Sequence, residues 1–254
     1  NANPDVAHGF EGGDGYYEIV NTISKDDNSL IAHYKFDGNG NDSSGNDKHL
    51  TEYNITYGNT DKIIGQSSFH NGSGYFEISN DGYFSPDIFS VSCWVKAYQK
   101  SSYQTIASCK NTGHTGWIIY IFDNQIRIFT GNVSTWIQTT TYPNFASNPP
   151  VWRHLVVVWN KSTSSLQIYV NGNLESTVSI TGYTNNNINN LRIGAAKNET
   201  TAGFELSNNS LLDDFRIYNK ALTAEQVNLL YRTTPTTYAG GGGGMGSVGE
   251  PATS

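Results

Sequence analysis

The chain has 254 residues, 37% apolar and 15% charged, with Lys+Arg 15 against Asp+Glu 22 and a formal charge of -7. An acidic chain without a basic cluster argues against nucleic acid and anionic membrane surfaces as partners. No apolar run approaches the about 18 residues of a membrane span, so no membrane insertion is expected, and the wealth of Asn, Gly, Ser, Thr and Tyr favours strands and turns over helices.

Residues 1–29 are punctuated by Gly and Asp and read as a leader or small appended segment, with one strand signal at YYEIV. The chain starts at Asn1 without an initiator Met, signal peptide or transit segment, which predicts a fragment or a processed chain.

From Leu30 short strand-like runs follow one another: LIAHYKF, SSFH, YFEIS, FSVSCWVKA, YQTIAS, GWIIYIF, QIRIFT, STWIQTTTY, VWRHLVVVWN, SLQIYVNG, LESTVSI, NLRIGA and LLDDFRIYN. Turn residues separate them, and IFDNQIRIF and IYVNGNLESTV read as tight hairpins. Such spacing predicts an all-β antiparallel sandwich or barrel. One helix is predicted, over about 224–231. Thr223 and Gln226 form a capping box there, and Leu222 and Val227 a hydrophobic staple. Residues 232–254, rich in Thr, Pro and Gly, read as a flexible linker or tail.

Two cysteines, Cys93 and Cys109, lie in runs joined by QKSSYQ. A hairpin centred near Ser101 would set them opposite each other and allow a disulfide; the alternative is two buried free thiols.

The stretch FDGNGNDSSGND, positions 36–47, looks like a metal loop. Asp37, Asn39 and Asn41 match the first ligands of an EF-hand, but Asp42 stands at the glycine position and Lys48 at the final glutamate. The flanks are strand and turn, so an EF-hand is excluded.

Two segments resemble the concanavalin A-like, laminin-G-like jelly-roll family. LIAHYKFDGNGNDSSGNDKHLT resembles its opening, and LLDDFRIYNKALTAEQVNLLY its closing strand, acidic pair and capped helix. FSVSCWVKA and WRHLVVVWNKSTSSLQIYVNGNL resemble its Trp-bearing strand and long hairpin. The resemblance covers about residues 30–231 and implies a two-sheet antiparallel jelly-roll sandwich of six or seven strands per sheet, with one short C-terminal helix and the terminal strands side by side. It also sets Asp213 and Asp214 beside the 36–47 turn. Strand alternation puts Asp213 on one face with Phe215 and Ile217, an expensive place for a carboxylate. Structural calcium held by Asp37, Asn39, Asn41, Asp42, Asp213 and Asp214 is one expectation; a solvated Asx turn with Asp213 accepting backbone hydrogen bonds is the other.

Family enzymes carry Glu-x-Asp-x-x-Glu on one strand, and no such spacing occurs here. Glu52, Glu77, Glu175 and Glu205 lie in separate elements, there is no Gly-x-Ser-x-Gly elbow, and the six histidines show no metal spacing. His33 and His154, inside strands, are expected to be structural. A non-catalytic chain is therefore expected. Among the tryptophans, Trp94, Trp152 and Trp159 read as core, while Trp117, Trp136, Tyr142 and Tyr183 are the candidates for an exposed sugar platform. Sequons occur at Asn41, Asn54, Asn71, Asn132, Asn160, Asn198 and Asn208, so the chain is also a candidate to carry sugar. The resulting expectation is a recognition module of a surface or secreted protein that binds glycan or a glycosylated partner. The alternative is a structural or decoration domain on a virion or cell surface, contacting neighbouring protein subunits. A glycoside hydrolase stands third.

Overall fold

The computed structural model describes residues 28–141, 144–198, 200–207 and 209–233. The expected leader and tail fall outside these residues except at their inner ends. In chain order the strands are β1 (Leu30–Tyr34), β2 (Thr51–Tyr53), β3 (Thr56–Gly58), β4 (Ser67–His70), β5 (Tyr75–Ile78), β6 (Ile88–Lys96), β7 (Lys100–Asn111), β8 (Thr115–Asp123) and β9 (Gln125–Gly131). They continue with β10 (Trp136–Thr141), β11 (Trp152–Asn160), β12 (Ser165–Val170), β13 (Asn173–Ser179), β14 (Leu191–Ile193), β15 (Ala196–Lys197), β16 (Ala202–Gly203) and β17 (Ser210–Tyr218), followed by helix α1 (Ala224–Thr233).

Two sheets pack face to face. The first has the order β13-β12-β11-β6-β17-β4-β3, with β1 also paired to β17; the second runs β10-β9-β8-β7-β14-β5-β2. Strands β15 and β16 form a separate pair. The first sheet therefore has eight strands, one more than the family resemblance implies. The terminal strands lie side by side as expected, with His33 opposite Arg216.

Local sequence sets the hairpins. Phe122 pairs with Gln125 across Asp123-Asn124, with Asp123 at φ 56. Val170 pairs with Asn173 across Asn171-Gly172, both at positive φ, as a two-residue hairpin turn requires. The helix is also as read. The Thr223 N–H donates to Gln226 Oε1 at 3.0 Å, and the Gln226 N–H to Thr223 Oγ1 at 3.3 Å. Val227 and Leu230 bury against Val156, Val158 and Tyr169 on the outside of the first sheet, and Leu222 joins them.

The core fills the space between the sheets. Alternate residues of β6, β11, β8 and β9 meet there, among them Val91, Cys93, Trp159, Ile119 and Ile128. Phe89 stacks on Trp159 with centroids 4.4 Å apart. Each such side chain, fully buried, contributes roughly 1.5–3 kcal/mol.

Two expectations fail here for identifiable reasons. The segment between β6 and β7 is not a hairpin: β6 belongs to the first sheet and β7 to the second. Cys93 therefore lies opposite Leu155, and Cys109 opposite Trp117 and Leu191. Both are buried free thiols. The second failure concerns Asp213. A bulge between Asp213 and Arg216, with Asp214 at φ 49, breaks the alternation of β17. Asp213 lies opposite Trp94 and turns to the outer face, while Leu212, Phe215 and Ile217 stay in the core. Among the described residues no helix is long and apolar enough to cross a membrane.

Candidate functional site

Among the described residues, the outer face of the second sheet carries a large aromatic group outside the core. In β8, Trp117, Ile119 and Ile121 face inward, which leaves Ile118, Tyr120 and Phe122 outside. Register then places Arg127 beside Tyr120 and Phe129 beside Ile118 from β9, with Tyr103 opposite Phe122 from β7. Trp136 packs against the same cluster from β10. Tyr103 is the hub: its centroid lies 4.9 Å from Tyr120, 4.8 Å from Phe122 and 6.1 Å from Phe129.

The β15–β16 pair lies across this face. Ala196 buries against Ile118 and Tyr120. The Phe204 carbonyl accepts from Thr105 N at 2.8 Å and Thr105 Oγ1 at 2.7 Å, and the Ala195 carbonyl accepts from Ser108 Oγ at 3.0 Å. Arg192 holds the turn: its Nε donates to Glu77 Oε2 at 2.5 Å and its Nη1 to the Asn198 carbonyl at 2.6 Å. Phe204 is thereby set over Tyr103 and Tyr120 while 48% exposed. A narrow cleft between the pair and the sheet is lined by Ser108, Lys110, Asn190, Arg192 and Asn198.

Cations rim the rings. Lys110 Nζ lies 6.0 Å from the Trp136 centroid, and His114 meets the same ring edge-on at 5.8 Å. The Arg127 guanidinium sits 4.1 Å over Phe122 and 5.8 Å from Tyr103, and its Nη1 donates to Tyr103 Oη at 3.3 Å. Burial pushes the Tyr120 hydroxyl above the ordinary phenol range, so it stays protonated at neutral pH. Half-exposed rings beside hydroxyl, amide and guanidinium groups offer apolar surface and directional hydrogen bonds together, the mixture a recognition site needs. On this sheet Glu77 is engaged by Arg192, and Glu52 accepts from Gly40 N at 2.7 Å.

Of the three platform residues that are described, Trp136 lies at this face and the other two do not. Trp117 is 0% exposed, and its Nε1 donates to the Phe84 carbonyl. Tyr183 is 1% exposed and hydrogen-bonded to Ser85 Oγ at 2.8 Å. Both are core, because their strand and turn direct them between the sheets. Tyr142 lies outside the described residues. Sequence reading missed Tyr103, Tyr120, Phe122, Phe129 and Phe204. The available signal was alternation in GWIIYIF: with Trp117 inward, Tyr120 and Phe122 must face out.

The six residues read as calcium ligands divide into separate networks. Asp42 accepts from His33 N at 2.9 Å, Ser44 N at 2.9 Å, Ser44 Oγ at 2.8 Å and Lys48 N at 3.1 Å. Its partial burial is outweighed by these bonds, and its carboxyl is held below the usual range. Asn39 Oδ1 caps Asn41 N in the exposed turn. Asp214 accepts from Arg216 Nη2 at 2.9 Å and lies 2.7 Å from His33 Nε2; against its burial, these partners hold its carboxyl well below the usual range. Asp37 and Asp213 grip one loop: Asp37 Oδ1 accepts from Gln66 N, and Asp213 Oδ2 from Ile63 N at 2.7 Å and Ile64 N at 3.0 Å. Burial pushes Asp213 up to about 8, against these two donors and with added repulsion from Asp214 and Asp37. Among the described residues no three His, Cys, Asp or Glu side chains gather for a metal. The six residues expected as ligands thus sit in separate hydrogen-bonded groups, with Asp213 Oδ1 buried and without a hydrogen-bond partner. The bulge aims the Asp213 and Asp214 carboxylates at different partners, and three backbone N–H groups with the Ser44 hydroxyl donate to Asp42.

Two packed antiparallel sheets with adjoining first and last strands define a lectin-like jelly roll. The Laminin_G_3 family model, described as the concanavalin A-like lectin/glucanases superfamily, matches residues 70–228, and the chain belongs to that superfamily. No curated protein sequence matches the chain. Among solved structures it is similar to the binding domain of Paraclostridial Mosquitocidal Protein 1, with 19% identity and TM-score 0.64 over 80% of this chain and 52% of that one. It is also similar to domain 4 of AbnA, a GH43 extracellular arabinanase from Geobacillus stearothermophilus, in complex with arabinotriose. There the identity is 24% and the TM-score 0.61, over 80% of this chain and 98% of that one. A third similar structure is that of botulinum neurotoxin type C, whose cell entry is dependent upon interaction with two ganglioside molecules. It is 19% identical with TM-score 0.65, over 85% of this chain and 54% of that one. The chain thus spans about half the length of the toxin structures it matches.

Proposed function

We infer that this chain is a non-catalytic carbohydrate-recognition module of a surface or secreted protein, with the outer face of the second sheet as its ligand face. The observation that carries this reading is the aromatic cluster around Tyr103, partly open to solvent at Phe204 and bounded by Trp136. A ring cluster on the solvent side of a sheet costs solubility unless something covers it or it has a ligand to meet. A pyranose suits such a surface, because its axial C–H face stacks on rings and its hydroxyls meet Gln, Asn and Arg side chains. The relatives support the class: one is an arabinanase domain with arabinotriose, one is the binding domain of a mosquitocidal protein, and one is a botulinum neurotoxin whose cell entry depends upon interaction with two gangliosides.

A glycan array probed with the full chain tests this reading. Binding to a defined set of oligosaccharides, lost in a Trp136→Ala/Phe204→Ala variant that still melts cooperatively, is the expected result. A blank array with folded protein overturns it.

A further inference from the structure

We propose that the ligand is an acidic saccharide, one bearing a carboxylate, and that Arg127 is the group that receives it. This rests on the reading of the outer face as a sugar-binding surface and names its ligand class.

Three observations carry the assignment. Arg127 is half-buried at the centre of the face, its guanidinium over Phe122, yet it enters none of the six ion pairs among the described residues. Among the described residues its Nε is buried without a hydrogen-bond partner, and its Nη1 donates to the Tyr103 hydroxyl. An unneutralised guanidinium is costly where solvent is thin, and a ligand carboxylate at its terminal nitrogens offsets that cost. By contrast, Arg192 on the same sheet face is already neutralised by Glu77.

The surroundings have matching charge. The chain as a whole carries -7, but the Lys110 ammonium lies at the Trp136 end of the face. A local positive field on an acidic protein favours an anion at that place and orients it on approach. The rings exclude a bare inorganic anion as the natural occupant. Tyr103, Phe122 and Phe204 supply apolar surface that a carboxylate alone leaves unused, whereas a sugar ring carrying that carboxylate covers it.

Two matched pairs of probes test this at low ionic strength by titration calorimetry: trigalacturonic acid against its fully methyl-esterified form, and 3′-sialyllactose against lactose. At least one acid is expected to bind about tenfold or more tighter than its neutral partner, and added salt should erase the difference. Arg127→Gln should bring the acid to the level of the neutral partner, and Arg127→Lys should restore part of the preference by charge alone. Equal binding within both pairs, or a preference that survives Arg127→Gln, overturns the proposal and leaves the recognition reading standing. Binding of a poly-glutamate peptide as tightly as the acid sugars also overturns it, in favour of an acidic protein partner. If neither acid binds while neutral glycans on the array do, the acidic ligand class falls alone. If the array is blank as well, the recognition reading falls with it.

Discussion

Phe204 meets Tyr103 edge-on with ring centroids 6.0 Å apart, and this contact couples the β15–β16 pair to the second sheet at the centre of the proposed ligand face. The pair is short, so few ladder bonds hold it. Arg192 compensates by bonding Glu77 on one side and the Asn198 carbonyl on the other. Arg192→Met should leave Glu77 without its ion pair and release the turn. The expected loss is roughly 2 kcal/mol, less than for a fully buried pair because Glu77 keeps some solvent. Amide exchange should accelerate at 196–203 more than in β8, and ligand affinity should fall. Unchanged exchange in that segment contradicts the positioning role.

Two tryptophans separated by nineteen positions in sequence should behave oppositely. Trp117→Ala removes a fully buried ring packed on Phe89 and Trp159 and should cost about 3–5 kcal/mol. Trp136→Ala should change stability by less than about half as much, since its ring is half-buried at the sheet edge, and should lower ligand affinity sharply. Thermal melts beside binding isotherms separate the two effects. A stable Trp117→Ala protein would show that the inner face is misassigned.

Asp213 makes stability fall as pH rises. Its folded value is raised to about 8, above the ordinary carboxyl value of 3.8, so the native state holds a proton that the unfolded chain releases. Its contribution is fully present below about pH 4 and is lost progressively up to pH 8. His154 and His70, pushed down to about 3 and about 4 by burial, act in the opposite sense, with stability lost as pH falls below their ordinary value. Asp213→Asn keeps an acceptor for Ile63 and Ile64 and removes only the Asp213 dependence. The melting-temperature difference between variant and parent should therefore grow from pH 5 to pH 8. A constant difference contradicts a protonated Asp213.

Calcium is tested by the same melts. Asp42, Asp214 and Asp37 each accept donors from the protein, and burial pushes the Asp213 carboxyl up to about 8. Millimolar calcium and excess chelator should give the same melting temperature. A rise with calcium that Asp213→Asn removes would show that the 61–66 loop rearranges to bind a cation.

The sequence shows the fold far more clearly than the ligand face. Hairpin turns at Asp123-Asn124 and Asn171-Gly172, the Thr223–Gln226 cap and the meeting of β1 with β17 all rest on local residue chemistry or on the two end motifs. Two features were hidden because a single residue or a single crossing decides them. The bulge at Asp214 reverses the facing that strict alternation gives Asp213, and the chain changes sheets between Cys93 and Cys109. The ligand face was obscured by its own strands. GWIIYIF is apolar on both sides, so its outer rings carry no polar contrast to mark them as exposed, and Phe204 reaches the cluster only through tertiary placement of the β15–β16 pair.

The central claim is that the ring cluster outside the second sheet meets sugar. The most direct measurement is a side-by-side glycan array of the parent chain and the Trp136→Ala/Phe204→Ala variant, with both shown to melt cooperatively. The account predicts defined oligosaccharide hits for the parent and their loss in the variant. Equal hits from both proteins would place the ligand elsewhere on the fold, and no hits from either would remove the sugar-binding reading.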